Sequence, residues 1–300
     1  MNKEVIGLIL LLCFAFSCQA PDSNTATMVD ESWDNLLDPD LSQWDNYLSY
    51  QFEEGYDGSI PVDSLGNELS PIGTNKNDEY QVFRTIEKEG ETLLYVTGEY
   101  YGCVISKASY RNYHFKLKVK WGEKKWTPRE NLLKDTGILY HSIGPMGAEY
   151  WRSWMLSQEF QIMEGHMGDY WSQASSAIDI RAYPPEYIMS PVADVSQPFL
   201  PLGTGEEVDG YCMRSANYEH PVGEWNTLEL ICFEGKSLHI VNGEVVMVLQ
   251  NSRYVEGGKE SPLIEGKIQL QSEASEVYYK DILIRELDLL PEQYAQYFRS

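Results

Sequence analysis

In the stretch SQEFQIMEGHMGDYW, Ser157 to Trp171, Glu159, Gln161, Glu164 and His166 fall within eight residues, with Trp154, Tyr170 and Trp171 close by. Carboxyl and imidazole groups move protons or hold cations near neutral pH. A carboxamide orients hydroxyls, and indole or phenol faces stack on the C–H faces of sugars. The set therefore suits proton transfer, cation binding or sugar binding, and the rest of the chain has to decide between them. In a regular strand Glu159, Gln161 and Met163 share one face and Glu164 points to the other. A single bulge at Ile162-Met163 would bring Glu164 round to the same side. Structural uses stand beside these: a strand-edge cap for Gln161, a turn for Asp169, an incidental hydrogen bond for His166, and core packing for Trp154, Trp171 and Tyr140.

The elements that must hold these residues are strands. Tyr113 to Trp121 alternates apolar and polar without a fault, which predicts a strand with its lysines on a solvated face. WNTLELICF and SLHIV follow the same pattern, and Asn242-Gly243 before EVVMVLQ predicts a two-residue hairpin, because both residues tolerate positive φ. LLYVTG, GCVIS, GKIQLQS and EVYYKDILIREL add further strands, while helical periodicity waits for PEQYAQYF at the C-terminus. Many short strands with few helices predict an all-β antiparallel sandwich or barrel. Two long segments, Phe52 to Lys76 and Ala182 to Asn217, are expected to be irregular and to overhang one face. Trp225 is expected to anchor the core, with Asn226 and His239 as structural hydrogen-bonders.

Composition and the N-terminus bound the partners. Lys3, the apolar run Val5 to Phe16 and Ala15-Phe16-Ser17-Cys18 read as an export signal with a lipobox, which predicts lipidation at Cys18. An ordinary secretory signal cut near Gln19-Ala20 is the alternative. The expected divisions are a signal over 1–18, a polar tether over 19–30, a sandwich over 31–290 and a C-terminal helix or tail over 291–300. The place this implies is the bacterial outer membrane, periplasmic or surface face, with membrane contact only through the lipid. The formal charge of −23 argues against a nucleic-acid partner. Outside the signal only Cys103, Cys212 and Cys232 remain, without paired spacing, so a disulfide framework is not expected. CxxC, HExxH and GxGxxG are all absent from the sequence, which sets aside the familiar zinc signatures and a nucleotide cofactor.

Two resemblances sharpen the function. The spacing E-x-Q-x-x-E of Glu159, Gln161 and Glu164 resembles the E-x-D-x-x-E strand of family 16 glycoside hydrolases, departing at Gln161, which is not an acid. More of the chain, in the ordered blocks KDTGILYHSIG, SQEFQIMEGHMGDYW, PVGEWNTLELICF, HIVNGEVV and GKIQLQSEASEVYYKDILIREL, resembles the 3-keto-disaccharide hydrolase domain family, formerly a domain of unknown function. The likeness runs from about Trp33 to Leu287. It implies a concanavalin A-like lectin/glucanase jelly roll with a short C-terminal helix, exported as a lipoprotein of Bacteroidota.

It also implies chemistry on glycosides already oxidised at C3 by a separate sugar 3-dehydrogenase. A ketone at C3 acidifies the C2 proton, so a base removes it, the aglycone leaves C1 and water adds to the unsaturated sugar. At the matching blocks His141, Glu159 and Glu164 are the expected catalytic groups, and the same three are the candidate ligands of a divalent cation, calcium, manganese or similar. Tyr140, Trp154, Gln161, His166 and Trp171 are the expected substrate-binding residues. A non-catalytic carbohydrate-binding lipoprotein is the alternative. A retaining glycosidase using Glu159 and Glu164 is another, and it requires their carboxyls roughly 5–5.5 Å apart.

Overall fold

The computed structural model describes residues 32–149 and 151–299; the expected export signal, Cys18 and the expected tether lie outside them. Trp33–Ser300 forms one compact unit. It is an all-β jelly-roll sandwich of a 12-stranded and an 8-stranded sheet, in which neighbouring strands are often distant in sequence. Every pairing between named strands at the centre of the fold is antiparallel, as the alternating pattern predicts.

The core lies between the sheets. Phe115, Leu117 and Val119 of the strand Tyr113–Lys125 meet Ile138, Phe160 and Leu270 from the smaller sheet. Lys116, Lys118 and Lys120 alternate with them and face outward, partly exposed, as expected. Asn242 and Gly243 both take positive φ, 50° and 90°, and close the hairpin between Lys236–Val241 and Glu244–Glu256.

Trp225 departs from its expected place. It precedes the strand Asn226–Phe233 by one residue, so alternation sends it outward while Asn226 is buried. There its ring lies between Lys120 and Lys280, whose ammonium groups sit 4.8 and 4.7 Å from its centroid. Asn226 is the structural hydrogen-bonder expected, accepting from His220 N at 2.7 Å and Asn242 Nδ2 at 2.8 Å.

The C-terminal turns Glu292–Ala295 and Gln296–Phe298 lie on an outer apolar patch of the large sheet that includes Ile231, Leu238 and Val248. Arg181 holds them there, donating to the carbonyls of Tyr297 and Arg299. Of the two long segments, the second is more ordered than expected, with short strands at Val192–Ala193, Phe199–Gly203 and Tyr211–Cys212. Alternation there is interrupted by Pro and Gly, which hides such short pairings from periodicity. Cys103, Cys212 and Cys232 are buried free thiols. Among the described residues no helix is long and apolar enough to cross a membrane.

Candidate active site

The outer face of the smaller sheet carries a cleft of about 600 Å³. Its floor is a grid set by register. Asp135–Ile143 pairs with Leu156–Met163 so that Leu139 lies opposite Glu159, Gly137 opposite Gln161 and Asp135 opposite Met163. On the other side Lys267–Ser272 brings Gln271 to the same face, and a bridge sets Glu273 beside Asp135. Tyr170–Gln173 continues the floor, with Trp171 opposite Glu159. Loops complete the walls: Arg129 from one, Glu149, Trp151 and Trp154 from another, and Tyr56 and Tyr211 from the two long segments.

Charge is concentrated at one end. The Arg129 guanidinium bonds the Asp135 carboxylate and, at 2.7 Å, Glu273 Oε1, while its Nε has no partner. Burial and the charge of Glu273 push Asp135 well above the usual carboxylate range, with Arg129 pulling the other way. Gln161 donates to Asp135 Oδ1 at 2.9 Å, and its own Oε1 is left without a partner. Glu159 is 2 % exposed. Burial first, then the charge of Glu273, raise it to about 8 against the hydrogen bond from Gln173. At neutral pH Glu159 therefore carries a proton, in the same cleft as the Arg129–Glu273 pair. Burial likewise raises Glu149 to about 7, although the amides of Ser153, Trp151 and Trp154 donate to it.

The rim is aromatic. Trp171 is 42 % exposed and its ring centroid lies 4.5 Å from that of Tyr211, tilted by 38°. Tyr211 is fixed from below, its hydroxyl donating to buried Asp169, which also receives Arg214 N and Nη1. Asp169 thus positions a cleft residue, which is more than the turn role expected of it. Trp154 is buried in the wall and donates to Gly102 O at 3.2 Å.

Of the expected residues, Glu159, Gln161, Trp154 and Trp171 meet in the cleft, whereas His141, Glu164, Tyr140 and His166 do not line it. For His141 the cause is a bulge. It falls between Tyr140 and Ile143, with His141 in the left-handed region at φ 54°, and Leu156–Met163 runs regularly through Ile162 and Met163. Tyr140 precedes the bulge and faces the core by alternation with Leu139, bonding Ser237 and His239. His141 packs edge-on to the Tyr113 and Tyr140 rings, and burial lowers it to about 4. Glu164 lies past the strand end, accepting from Lys134 N at 3.4 Å. His166 Nδ1 sits 3.0 Å from Asp169 Oδ2, in the support beneath the rim.

His141, Glu159 and Glu164 therefore do not converge as cation ligands, and no three His, Cys, Asp or Glu side chains among the described residues are set to hold a metal. The Arg129 guanidinium, held between the carboxyls of Asp135 and Glu273, is a positive charge in the cleft. The carboxyl pair needed for a retaining glycosidase is likewise not formed by Glu159 and Glu164. His239 is structural, as expected, stacking on Phe160 at 4.3 Å and bonding Gly168 O.

Arg129, Asp135, Glu149, Gln271, Glu273 and Tyr211 are among the cleft residues not anticipated. Gln269, Gln271 and Glu273 do alternate in KIQLQSE, a polar stripe legible in the sequence. The loop residues Arg129 and Glu149 carry no such signal.

The sandwich and its acidic, aromatic-rimmed cleft define a carbohydrate-active jelly-roll protein. The chain belongs to the 3-keto-alpha-glucoside-1,2-lyase-like domain family, whose sequence model matches residues 32–285. No curated protein matches it. Among solved structures, a provisionally assigned glycosyl hydrolase from Parabacteroides distasonis is 15 % identical with a TM-score of 0.45, covering 85 % of this chain and 100 % of that one. A second from the same organism is 19 % identical with a TM-score of 0.38, covering 68 % and 83 %. LamAcat from Zobellia galactanivorans is 11 % identical with a TM-score of 0.38, covering 85 % and 96 %.

Proposed function

We propose that the protein cleaves the glycosidic bond of 3-keto-glycosides by elimination followed by hydration. The observation that carries this is a proton-bearing Glu159 in the same cleft as Glu273 and Arg129. Glu273 takes the C2 proton, and the electron pair moves into an enolate whose C3 oxygen is stabilised by Arg129. The enolate then collapses, breaking the C1–O bond, and Glu159 protonates the departing oxygen. Water next adds to the enone: Glu159, now a carboxylate, takes the water proton as oxygen bonds to C1, and Glu273 returns its proton to C2. Both carboxyls end as they began. Trp171 and Tyr211 offer the stacking surface for sugar or aglycone.

A glycan-binding protein needs the aromatic rim and the amides but has no use for a buried, proton-bearing glutamate, which favours catalysis. We infer further that the substrate is supplied by a sugar 3-dehydrogenase and that the chain is exported and lipid-anchored through Cys18.

Turnover of a 3-keto-glucoside in D2O tests the elimination. Deuterium is expected at C2 of the released keto-sugar, at a level above that of keto-sugar incubated with the protein as product. Release without deuterium at C2 would overturn elimination in favour of direct hydrolysis.

A further inference from the structure

The outer face of the 12-stranded sheet, on the far side of the sandwich from the cleft, gathers cations and aromatic rings. Val119, Val277, Leu94 and Phe83 point into the core, so their neighbours Lys120, Tyr278, Tyr95 and Arg84 point out. Register sets these four in one row: Lys120 opposite Tyr278, Tyr278 opposite Tyr95, and Tyr95 opposite Arg84. With strands about 4.8 Å apart the row spans roughly 14 Å. Lys118 and Lys280 pair in the next row, and Lys116 follows in a third.

Rings hold many of these cations. Arg84 lies 4.9 Å from the Tyr95 centroid, Lys88 5.7 Å from that of Tyr278, and Lys116 and Arg285 each 4.8 Å from that of Trp33. Carboxylates on the same face are already bonded: Asp281 to Lys118, Glu91 to Lys280, Glu229 to His114 and Glu276 to the Tyr95 hydroxyl. Arg84, Lys88, Lys116 and Lys120 make no ion pair among the described residues. Seven of the chain's 23 lysines and arginines thus stand on one face of a protein with a formal charge of −23. The cleft has the opposite character, because its lining holds one cation, Arg129, among four carboxyl groups.

The chain also enters the fold on the basic face. Trp33, the first residue of the compact unit, lies there beneath Lys116 and Arg285. The 14 residues between Cys18 and Trp33 reach at most about 50 Å, so a lipid on Cys18 keeps this face close to the bilayer. A glycan would stack on open rings, but Trp33, Trp225, Tyr95 and Tyr278 each already carry a cation over the ring. What the face offers is an extended field of positive charge with Trp and Tyr at its level, which suits lipid headgroups.

We propose that this basic face docks on the headgroup phosphates of an anionic bilayer and so turns the cleft away from the membrane. The inference rests on the lipid-anchor reading above and adds to it a second contact and an orientation. A single acyl signal and a polybasic patch act together, and the acidic cleft side is repelled by the same lipids.

For the test, the chain starting at Cys18 is coupled through that thiol to a maleimide lipid, in vesicles of phosphatidylcholine with or without phosphatidylglycerol. Cys103, Cys212 and Cys232 are buried, which leaves Cys18 as the reactive thiol. Lysine acylation by a water-soluble ester is mapped by mass spectrometry. Lys88, Lys116 and Lys120 are expected to react at least about threefold more slowly on the anionic vesicles, a difference that high salt removes. Lys76 and Lys107, which follow strands of the smaller sheet, should react equally on both. In the double variant Lys118→Gln, Lys120→Gln, the protection of Lys88 and Lys116 should shrink. Equal reactivity of the face lysines on both vesicles, or equal slowing of Lys76 and Lys107, would refute docking by this face and leave the anchor standing. Protection by soluble polygalacturonate but not by anionic vesicles would overturn it in favour of a glycan. The mass of the N-terminal peptide, from chain made with its own signal in a bacterium, reports the anchor separately: a Cys18 without acyl chains would refute that reading whatever the lysines do.

Discussion

Replacing Glu159 with Gln is expected to lower kcat on a 3-keto-glycoside by about two to four orders of magnitude while the protein stays folded. The amide is nearly isosteric and occupies the same buried position but has no proton to give the leaving oxygen. The pH dependence follows from the same group. Wild-type activity should fall above about pH 8, where Glu159 loses its proton.

Stability supplies an independent check. The folded pKa of Glu159, about 8, stands above the roughly 4.3 of an unfolded glutamate. The folded state thus keeps a proton that the unfolded chain releases between those values, and this contribution is full below pH 4.3 and lost as pH rises through 8. Glu159→Gln cannot ionise. Denaturant melts should show the variant gaining on wild type as pH rises from 5 to 9, by an amount on the order of a few kcal/mol. An unchanged difference across that range would contradict a proton-bearing Glu159.

Arg129→Met is the second large effect. It leaves Asp135 and Glu273 adjacent without their shared guanidinium. Breaking a buried ion pair by removing one partner costs about 3–5 kcal/mol, and urea melts at neutral pH should show a loss of that size. Turnover should disappear as well, because the enolate oxygen loses its cation. Arg129→Lys keeps the charge but not the planar fork that reaches two carboxylates, so an intermediate melt with weak turnover is expected. A neutral-pH melt of Arg129→Met equal to wild type would show that the guanidinium does not hold this acidic cluster.

Much of the scaffold was legible because strand periodicity is strong where one face is buried and the other wet. The lysines of Tyr113–Lys125 and the Asn242-Gly243 turn sit as the pattern predicts. The same rule put Glu159 and Gln161 on one face. The errors arise where one extra residue changes the face. The bulge at Tyr140–Ile143 turns His141 away from the cleft, and a non-glycine left-handed residue within an apolar run gives no sequence cue. Glu164 followed from assuming a bulge in the neighbouring strand. The acid–base partners were hidden for a different reason. Arg129 lies in a loop and meets Glu273 across 144 positions of sequence, and Glu149 is set by the amides of its own loop. Contacts of that kind depend on the closed sandwich and leave no local period.

The most direct measurement is aglycone release from a chromogenic glucoside and from its 3-keto derivative, followed side by side with the chain from Gln19 onward, with and without chelator. Release from the keto substrate alone is the predicted result, and the chelator arm reports whether a divalent cation takes part. Release from the plain glucoside would instead identify a conventional glycosidase, and no release from either would contradict the proposed chemistry and leave a glycan-binding cleft.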